Sequence, residues 1–331
     1  MDSVTQAALG ASIAGVCAPK GHRRKALLAG ALLGTLPDMD VMIDFGGAVE
    51  NFTYHRGFSH SLFVLAPFSI VLWLLLKRLW APAREAPVRW LLAISLALVT
   101  HPLLDAHTAY GTQLFWPMSV TPTMWATMFI IDPLYTLPLL VGVVAAVFWP
   151  GSSRSNSLLA AGVVLSTVYL AWSWLGQSLA RNHADESLAE MGLQDAPVFV
   201  VPGPFNTLLW RVVVMTDDGY LEGFDSLLVD EGNMQFSAYT SDYAALREAS
   251  DVWAVAQLRW FANDFVRADV RNDRLVITDL RMGSEPNYVF RHVAAARGNP
   301  HWKAIPTQQA FDLPFDEIEL SDIWARIWSG P

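Results

Sequence analysis

Apolar residues run almost unbroken through the first half of the chain and fall into short alternating stretches in the second. A helix that crosses a bilayer needs about 20 mostly apolar residues. Runs 62–76 (extendable to 80), 90–104 and 128–149 meet that need, and 158–175 comes close. Two earlier runs, 4–18 and 26–36, are shorter and rich in Ala and Gly, a composition suited to close packing against other helices. The pattern predicts six apolar segments. Beyond them, 208–216 and 220–228 flank Asp217-Asp218-Gly219, a hairpin signal, and 266–269 and 275–279 flank Arg271-Asn272-Asp273, a second one. Residues 241–262 read as a helix with Trp253, Leu258 and Phe261 near one face, 288–293 as a further strand, and Pro202-Gly203-Pro204-Phe205 as a linker. The expected fold is mainly α: a multi-pass transmembrane helical bundle over 1–177, then a soluble α+β domain over 178–331.

Charge sharpens that division. Only 16% of the 331 residues are charged, against about 25% in an average soluble domain. Residues 1–177 carry a net +2 and residues 178–331 a net −11. This composition excludes a disordered chain, a disulfide scaffold and a basic nucleic-acid binder. The single Cys17, inside an apolar run, reads as a buried inert thiol. The first charge is Asp2, so the amino terminus does not read as a cleaved signal peptide. Loops 1–2, 3–4 and 5–6 hold nine Lys and Arg, whereas loops 37–61 and 105–127 hold only Arg56. The positive-inside rule then turns the amino terminus, those two loops and the acidic module outward.

Four polar motifs fall at that outer end: Pro37-Asp38-Met39-Asp40, His55-Arg56-Gly57-Phe58-Ser59-His60-Ser61, His101-Pro102-Leu103-Leu104-Asp105 and Ile131-Asp132-Pro133. His101 and Asp105, four apart, share a helix face and can chelate one ion. Pro102 fits a first turn or kinks the helix. His60 follows His55 by five residues, with Gly57 lending the loop freedom. Asp38 and Asp40 alternate, so a turn can present either or both. Ionisable groups in spans are costly and usually functional. Asp40, His55, His60, His101 and Asp105 are therefore the expected ligands of a divalent metal, zinc first and manganese or iron next. The donors are numerous enough for two or more ions. Asp38 is expected as a ligand or supporting base, and Arg56 as a stabiliser of developing negative charge or as an ion-pair partner of Asp38, Asp44 or Glu50. Asp132 reads either as a ligand or as a helix cap before Pro133, and His107 is a further candidate ligand. Ser59 and Ser61 either orient ligands or cap the third segment. No serine–base triad is readable. His22 lies on the inner side, and His183, His292 and His301 read as surface residues of the second module.

Together with the opening Met1-Asp2-Ser3-Val4-Thr5-Gln6, the run Thr108-Ala109-Tyr110-Gly111-Thr112-Gln113-Leu114-Phe115-Trp116-Pro117 and Ile131-Asp132-Pro133-Leu134-Tyr135-Thr136, these motifs resemble the bacterial inner-membrane metal-dependent hydrolases described as LexA-regulated and membrane-bound. The resemblance covers about residues 1–180. That family is distantly grouped with zinc-dependent phospholipase C and the S1/P1 nucleases, which implies a helical metal site that cleaves phosphoesters. Many relatives carry His where this chain has Gln6, which implies that one metal position is weakened or absent here. The expectation is a membrane-embedded hydrolase using metal-activated water on an ester or phosphoester of a lipid or lipid-linked substrate at the periplasmic face. The acidic module is expected above that face as a lid or substrate filter. The alternatives are a non-catalytic membrane protein with a structural metal and, further off, a metal-ion transporter. A transporter predicts ligands spread through the bilayer depth, and here they lie at one end.

Overall fold

A computed structural model describes residues 1–310 and 320–330. Eight helices come first: α1 (Ser3–Cys17), α2 (Arg23–Thr35), α3 (Ala48–Tyr54), α4 (Leu62–Leu79), α5 (Ala81–Glu85), α6 (Pro87–Asp105), α7 (Pro133–Phe148) and α8 (Ser153–Glu190). Then follow β1 (Val198–Pro202), β2 (Leu209–Met215), β3 (Gly219–Ser226), β4 (Phe236–Thr240), α9 (Tyr243–Glu248) and α10 (Trp253–Phe261). The chain continues with β5 (Val266–Arg271), β6 (Arg274–Asp279), β7 (Gly283–Ser284), β8 (Asn287–Tyr288), β9 (Arg291–Ala296), β10 (Lys303–Gln309) and α11 (Leu320–Trp328).

These elements form two compact units. The first comprises Met1–Met42 and Arg56–Ser173, the second Ile43–His55 and Trp174–Pro331. The sequence did not separate 43–55 from the loop around it. Within the second unit, Phe52 of α3 packs on Phe261 (ring centroids 4.8 Å) and Phe290 (4.6 Å). Gln257 also donates to the Thr53 hydroxyl at 3.0 Å.

Helices α4, α6 and α8 are long and apolar enough to cross a membrane. Helices α1 and α7 are apolar but shorter, at 15 and 16 residues. Helix α7 starts later than the apolar run at 128 because Asp132 caps it, accepting from the Leu134 and Tyr135 N–H groups, and Pro133 supplies the first turn. Asp132 is thereby a cap, further held by the Tyr169 hydroxyl at 2.8 Å. Helices α1 and α2 pack backbone to backbone: a Cβ placed on Gly10 would lie 2.2 Å from the Gly30 carbonyl oxygen. The Ala/Gly composition of both runs therefore serves close packing.

The second unit holds two four-stranded antiparallel sheets, ordered β1-β2-β3-β4 and β10-β9-β6-β5. Both predicted hairpins form, β2–β3 and β5–β6. The second turns at Asn272 and Asp273, both left-handed (φ 48° and 58°), the conformation that matches strand twist. The predicted helix over 241–262 is two helices, α9 and α10, parted where Val252 is extended. The expected strand at 288–293 is interrupted between β8 and β9. Strands β1, β4 and β10 carried no clear alternation and were not expected. His292, expected at the surface, is buried against Phe52, with ring centroids 4.9 Å apart.

Candidate metal centre

Three segments of the first unit meet at one end of its helices. Pro37–Met42 forms a 3-10 turn directly after α2, Phe58–His60 forms another directly before α4, and His101 and Asp105 occupy the last turn of α6. Pro102 sits near that end inside the helix, not in a first turn. Asp38, His60, His101 and Asp105 each direct one donor atom to a common point, with all four atoms within 4.8 Å of one another. The two imidazoles face each other through Nε2, 3.0 Å apart. His60 Nε2 lies 3.3 Å from Asp38 Oδ1 and 3.2 Å from Asp105 Oδ2, and His101 Nε2 lies 3.5 and 3.3 Å from the same oxygens. Zinc–nitrogen and zinc–oxygen bonds of about 2.0–2.1 Å imply tetrahedral edges of about 3.3–3.4 Å. These five edges bracket that value, and the sixth, from Asp38 to Asp105, lies within 4.8 Å.

The far side of each ligand explains the direction of the near side. His101 Nδ1 donates to the Gly34 carbonyl at 2.5 Å, and a carbonyl can only accept. Ser59 Oγ donates its one proton to Asp40 Oδ2 at 2.6 Å, so it accepts from His60 Nδ1 at 2.9 Å. Both protons are thus fixed on Nδ1 in the neutral rings, and both Nε2 lone pairs point inward. A hydrogen bond behind a metal-ligating histidine does this. Asp105 Oδ1 is held by the Met1 amino group, Gln6 Nε2 (3.0 Å) and Arg56 Nη2 (3.3 Å). Its Oδ2 and Asp38 Oδ1 are buried with no hydrogen-bond partner. Four lone-pair atoms therefore converge, and the donor set suits a divalent cation.

The expected ligands divide accordingly. His60, His101 and Asp105 belong to the quartet. Asp38, expected to be a ligand or a base, is the fourth member. Asp40 is not among the four. On a 3-10 turn of three residues per revolution, positions two apart point in different directions, and Asp40 instead takes the Arg56 N–H at 2.9 Å and the Ser59 hydroxyl. His55 caps the end of α3 and is also outside the quartet. The left-handed residue between the two histidines is Arg56 (φ 60°), not Gly57. Such strain in a non-glycine residue costs about 1–3 kcal/mol and collects at functional sites. The Arg56 carbonyl accepts from Gln113 N–H at 3.0 Å, Nη1 donates to the Thr108 hydroxyl at 3.2 Å, and the guanidinium lies over the Tyr110 ring. Of the partners expected for Arg56, none is the one found, which is Asp105. His107 hydrogen-bonds the Leu103 carbonyl at 2.9 Å and packs on Trp125, outside the quartet. Ser61 caps α4. Gln6 braces two ligands, since it also donates to the His101 carbonyl at 3.2 Å. Among the described residues one such group forms. The sequence held no sign of Gly34's part, because a backbone carbonyl has no residue signature.

Apolar helices that can cross a bilayer, joined to a buried His2Asp2 group, define an integral membrane protein with a candidate metal centre. Residues 1–180 match the sequence model of the YdjM inner membrane protein family, and the chain belongs to that family. It is 24% identical over 313 residues to the uncharacterized protein YfhP of Bacillus subtilis (strain 168), covering 88% of this chain and 89% of that one. It is 40% identical over 91 residues to the inner membrane protein YbcI of Escherichia coli (strain K12), covering 27% of this chain and 51% of that one. No solved structure matches. Family and apolar helices together make this an inner-membrane protein.

Proposed function

We propose that this protein is a multi-pass inner-membrane metal-dependent hydrolase acting on an ester or phosphoester of a lipid or lipid-linked substrate, with its site on the periplasmic side. The observation that carries the reading is the convergence of four inward-facing lone-pair atoms. Asp38, His60, His101 and Asp105 would hold one divalent ion, most simply zinc. When bound, the ion supplies Lewis-acid charge and acidifies water. Gly34, Ser59 and Asp40 keep the imidazoles aimed, and Arg56 and Gln6 keep Asp105 turned inward. The ligand side chains of His60, His101 and Asp105 are fully buried, whereas that of Asp38 is 20% exposed. Asp38 therefore marks the open side from which a substrate approaches. Met39, Met42, Phe58, Phe115, Trp116 and Met118, all exposed, neighbour the site's segments in the chain and suit an amphiphile whose tail stays in lipid. The nine-to-one charge asymmetry supports the outward orientation.

A second reading rests on the donor count. Four protein ligands complete a closed tetrahedral site, the arrangement of a structural metal, whereas catalytic zinc keeps a position open. One experiment addresses both. Metal content of the detergent-purified protein is measured beside His60→Ala and Asp105→Ala, and the same samples are assayed for product release from a panel of phospholipids. The hydrolase reading expects one tightly held equivalent, lost in both variants together with activity. Metal without turnover on any ester or phosphoester leaves the structural reading. Metal no higher than background after repletion overturns both.

A further inference from the structure

At the opposite end of the same helices, the end of α1 and the starts of α2 and α6 bring cations together. Arg23 Nε donates to the Gly15 carbonyl at 3.1 Å. Arg89 Nε donates to the Cys17 carbonyl at 2.8 Å and its Nη2 to the Ala18 carbonyl at 3.1 Å. Two guanidiniums thus share the C-terminus of one helix, where the dipole favours positive charge. Beside them His22 sits edge-on to Trp80 (5.2 Å), Trp80 edge-on to Trp90 (4.8 Å), and Lys25 Nζ lies 5.5 Å from the Trp80 ring centre. Residues 17–27 and 77–90 contain eight Lys and Arg and one acid, Glu85.

Snorkelling cations are ordinary at such an end. Two details are not. Arg23 is only 5% exposed, and its Nη1 has no hydrogen-bond acceptor. Trp90 is 3% exposed, and its indole N–H has none either. A buried donor left without an acceptor costs about 1–3 kcal/mol, more when charged. An anionic group with several oxygens offers acceptors to donors of both kinds. Guanidinium forks match phosphate geometry, and indole rings favour the headgroup level of a bilayer.

We propose that this end of the first unit binds the phosphate of an acidic glycerophospholipid headgroup, held by Arg23 and Arg89 and floored by Trp80 and Trp90. Basic pockets between membrane helices take such headgroups. The site is separate from the His2Asp2 quartet and stands whether or not the quartet is catalytic.

The test follows thermal unfolding and lipid retention in native mass spectrometry for the full chain in neutral detergent. Phosphatidylglycerol, phosphatidylcholine and inorganic phosphate are added separately. Phosphatidylglycerol is expected to raise the midpoint and remain bound, and phosphatidylcholine to do neither. Arg23→Gln with Arg89→Gln should weaken retention at least about tenfold, as loss of charge-assisted hydrogen bonds implies. Arg154→Gln, an exposed cation elsewhere, should change nothing. Should the double variant fail to fold, Trp90→Phe keeps the ring and removes one donor, and retention should fall about threefold to tenfold. Equal effects of the two lipids, or unchanged retention in the Gln pair or in Trp90→Phe, overturn the site. A full shift from inorganic phosphate alone, with none added by lipid, overturns the lipid assignment.

Discussion

Each unit buries a cluster of charged side chains, and the two clusters are completed differently. In the second unit Arg211 donates to Glu222 at 2.5 Å, to the Leu280 carbonyl at 2.7 Å and to the Tyr288 hydroxyl at 2.8 Å. Around it Glu285 takes Arg267 and the Tyr220 hydroxyl. Donors meet acceptors, and positive charge meets negative, within the protein. In the first unit the quartet has acceptors facing acceptors, with two carboxylate oxygens and two imidazole lone pairs aimed at one point. Low dielectric magnifies both outcomes. A closed cluster needs nothing from outside, whereas an open one is costly until a cation arrives. That asymmetry, more than the residue types, separates a structural network from a candidate binding site.

The largest effect expected from breaking the comparison lies in the closed cluster. Removing one partner of a buried pair leaves an uncompensated charge and costs about 3–5 kcal/mol. Glu222→Gln should therefore lower the unfolding free energy of the protein by about that amount, with metal content unchanged. Asp38→Asn, measured in chelator, should leave thermal stability unchanged or raised, because it removes an unpartnered carboxylate oxygen. Equal destabilisation by the two substitutions in chelator would mean that the quartet is satisfied internally, as a polar packing network.

A smaller effect comes from a histidine that belongs to neither cluster. Burial pushes the His292 imidazole down to about 4 from 6.5. Its folded value lies below its unfolded one, so the unfolded chain binds the extra proton. Stability from this group is intact above pH 6.5, declines as pH falls, and levels off below about pH 4. Two and a half pH units correspond to about 3 kcal/mol. His292→Phe should remove that slope, measured as the difference between variant and wild-type unfolding across this window. A variant that unfolds with the same pH dependence as wild type would show that His292 is solvated in the native state.

Much of the site was legible because its chemistry lies in local spacing. His101 and Asp105 share a face by helix geometry alone, and the repeated polar motifs at one end of the apolar runs marked the location. What sequence could not supply was the direction of each side chain. Asp38 and Asp40 are equivalent in composition, and only the 3-10 turn turns one inward and the other toward Ser59. His55 and His60 are alike in type, but α3 belongs to the second unit through Phe52 and Thr53, while His60 opens α4. In the fold, long apolar helices and both hairpins with turn residues were readable. The break at Val252 and the strands without alternation depend on tertiary pairing, which local pattern does not encode.

The smallest effect tests whether the quartet is held open by what lies behind it. Asp40 touches no common point with the ligands, yet it fixes the Ser59 proton, and Ser59 in turn fixes His60 Nδ1. Asp40→Asn replaces the charged oxygen that takes both the Arg56 N–H and the Ser59 hydroxyl with a neutral, weaker acceptor, and so loosens the hold on the Ser59 proton. The hydroxyl then turns toward His60, favours the tautomer with its proton on Nε2, and takes one lone pair from the centre. Partners behind a metal ligand are worth about 10–100-fold in affinity. Asp40→Asn should weaken metal binding by that factor, read by competition with a chromophoric chelator, while His60→Ala abolishes it. Ser59→Ala, which removes the same relay without turning a hydroxyl proton toward His60, should fall between wild type and Asp40→Asn. If Asp40→Asn binds metal as tightly as wild type, the inward lone pair of His60 is set by the ion itself, and the contrast with the Arg211 cluster reduces to ligand type alone.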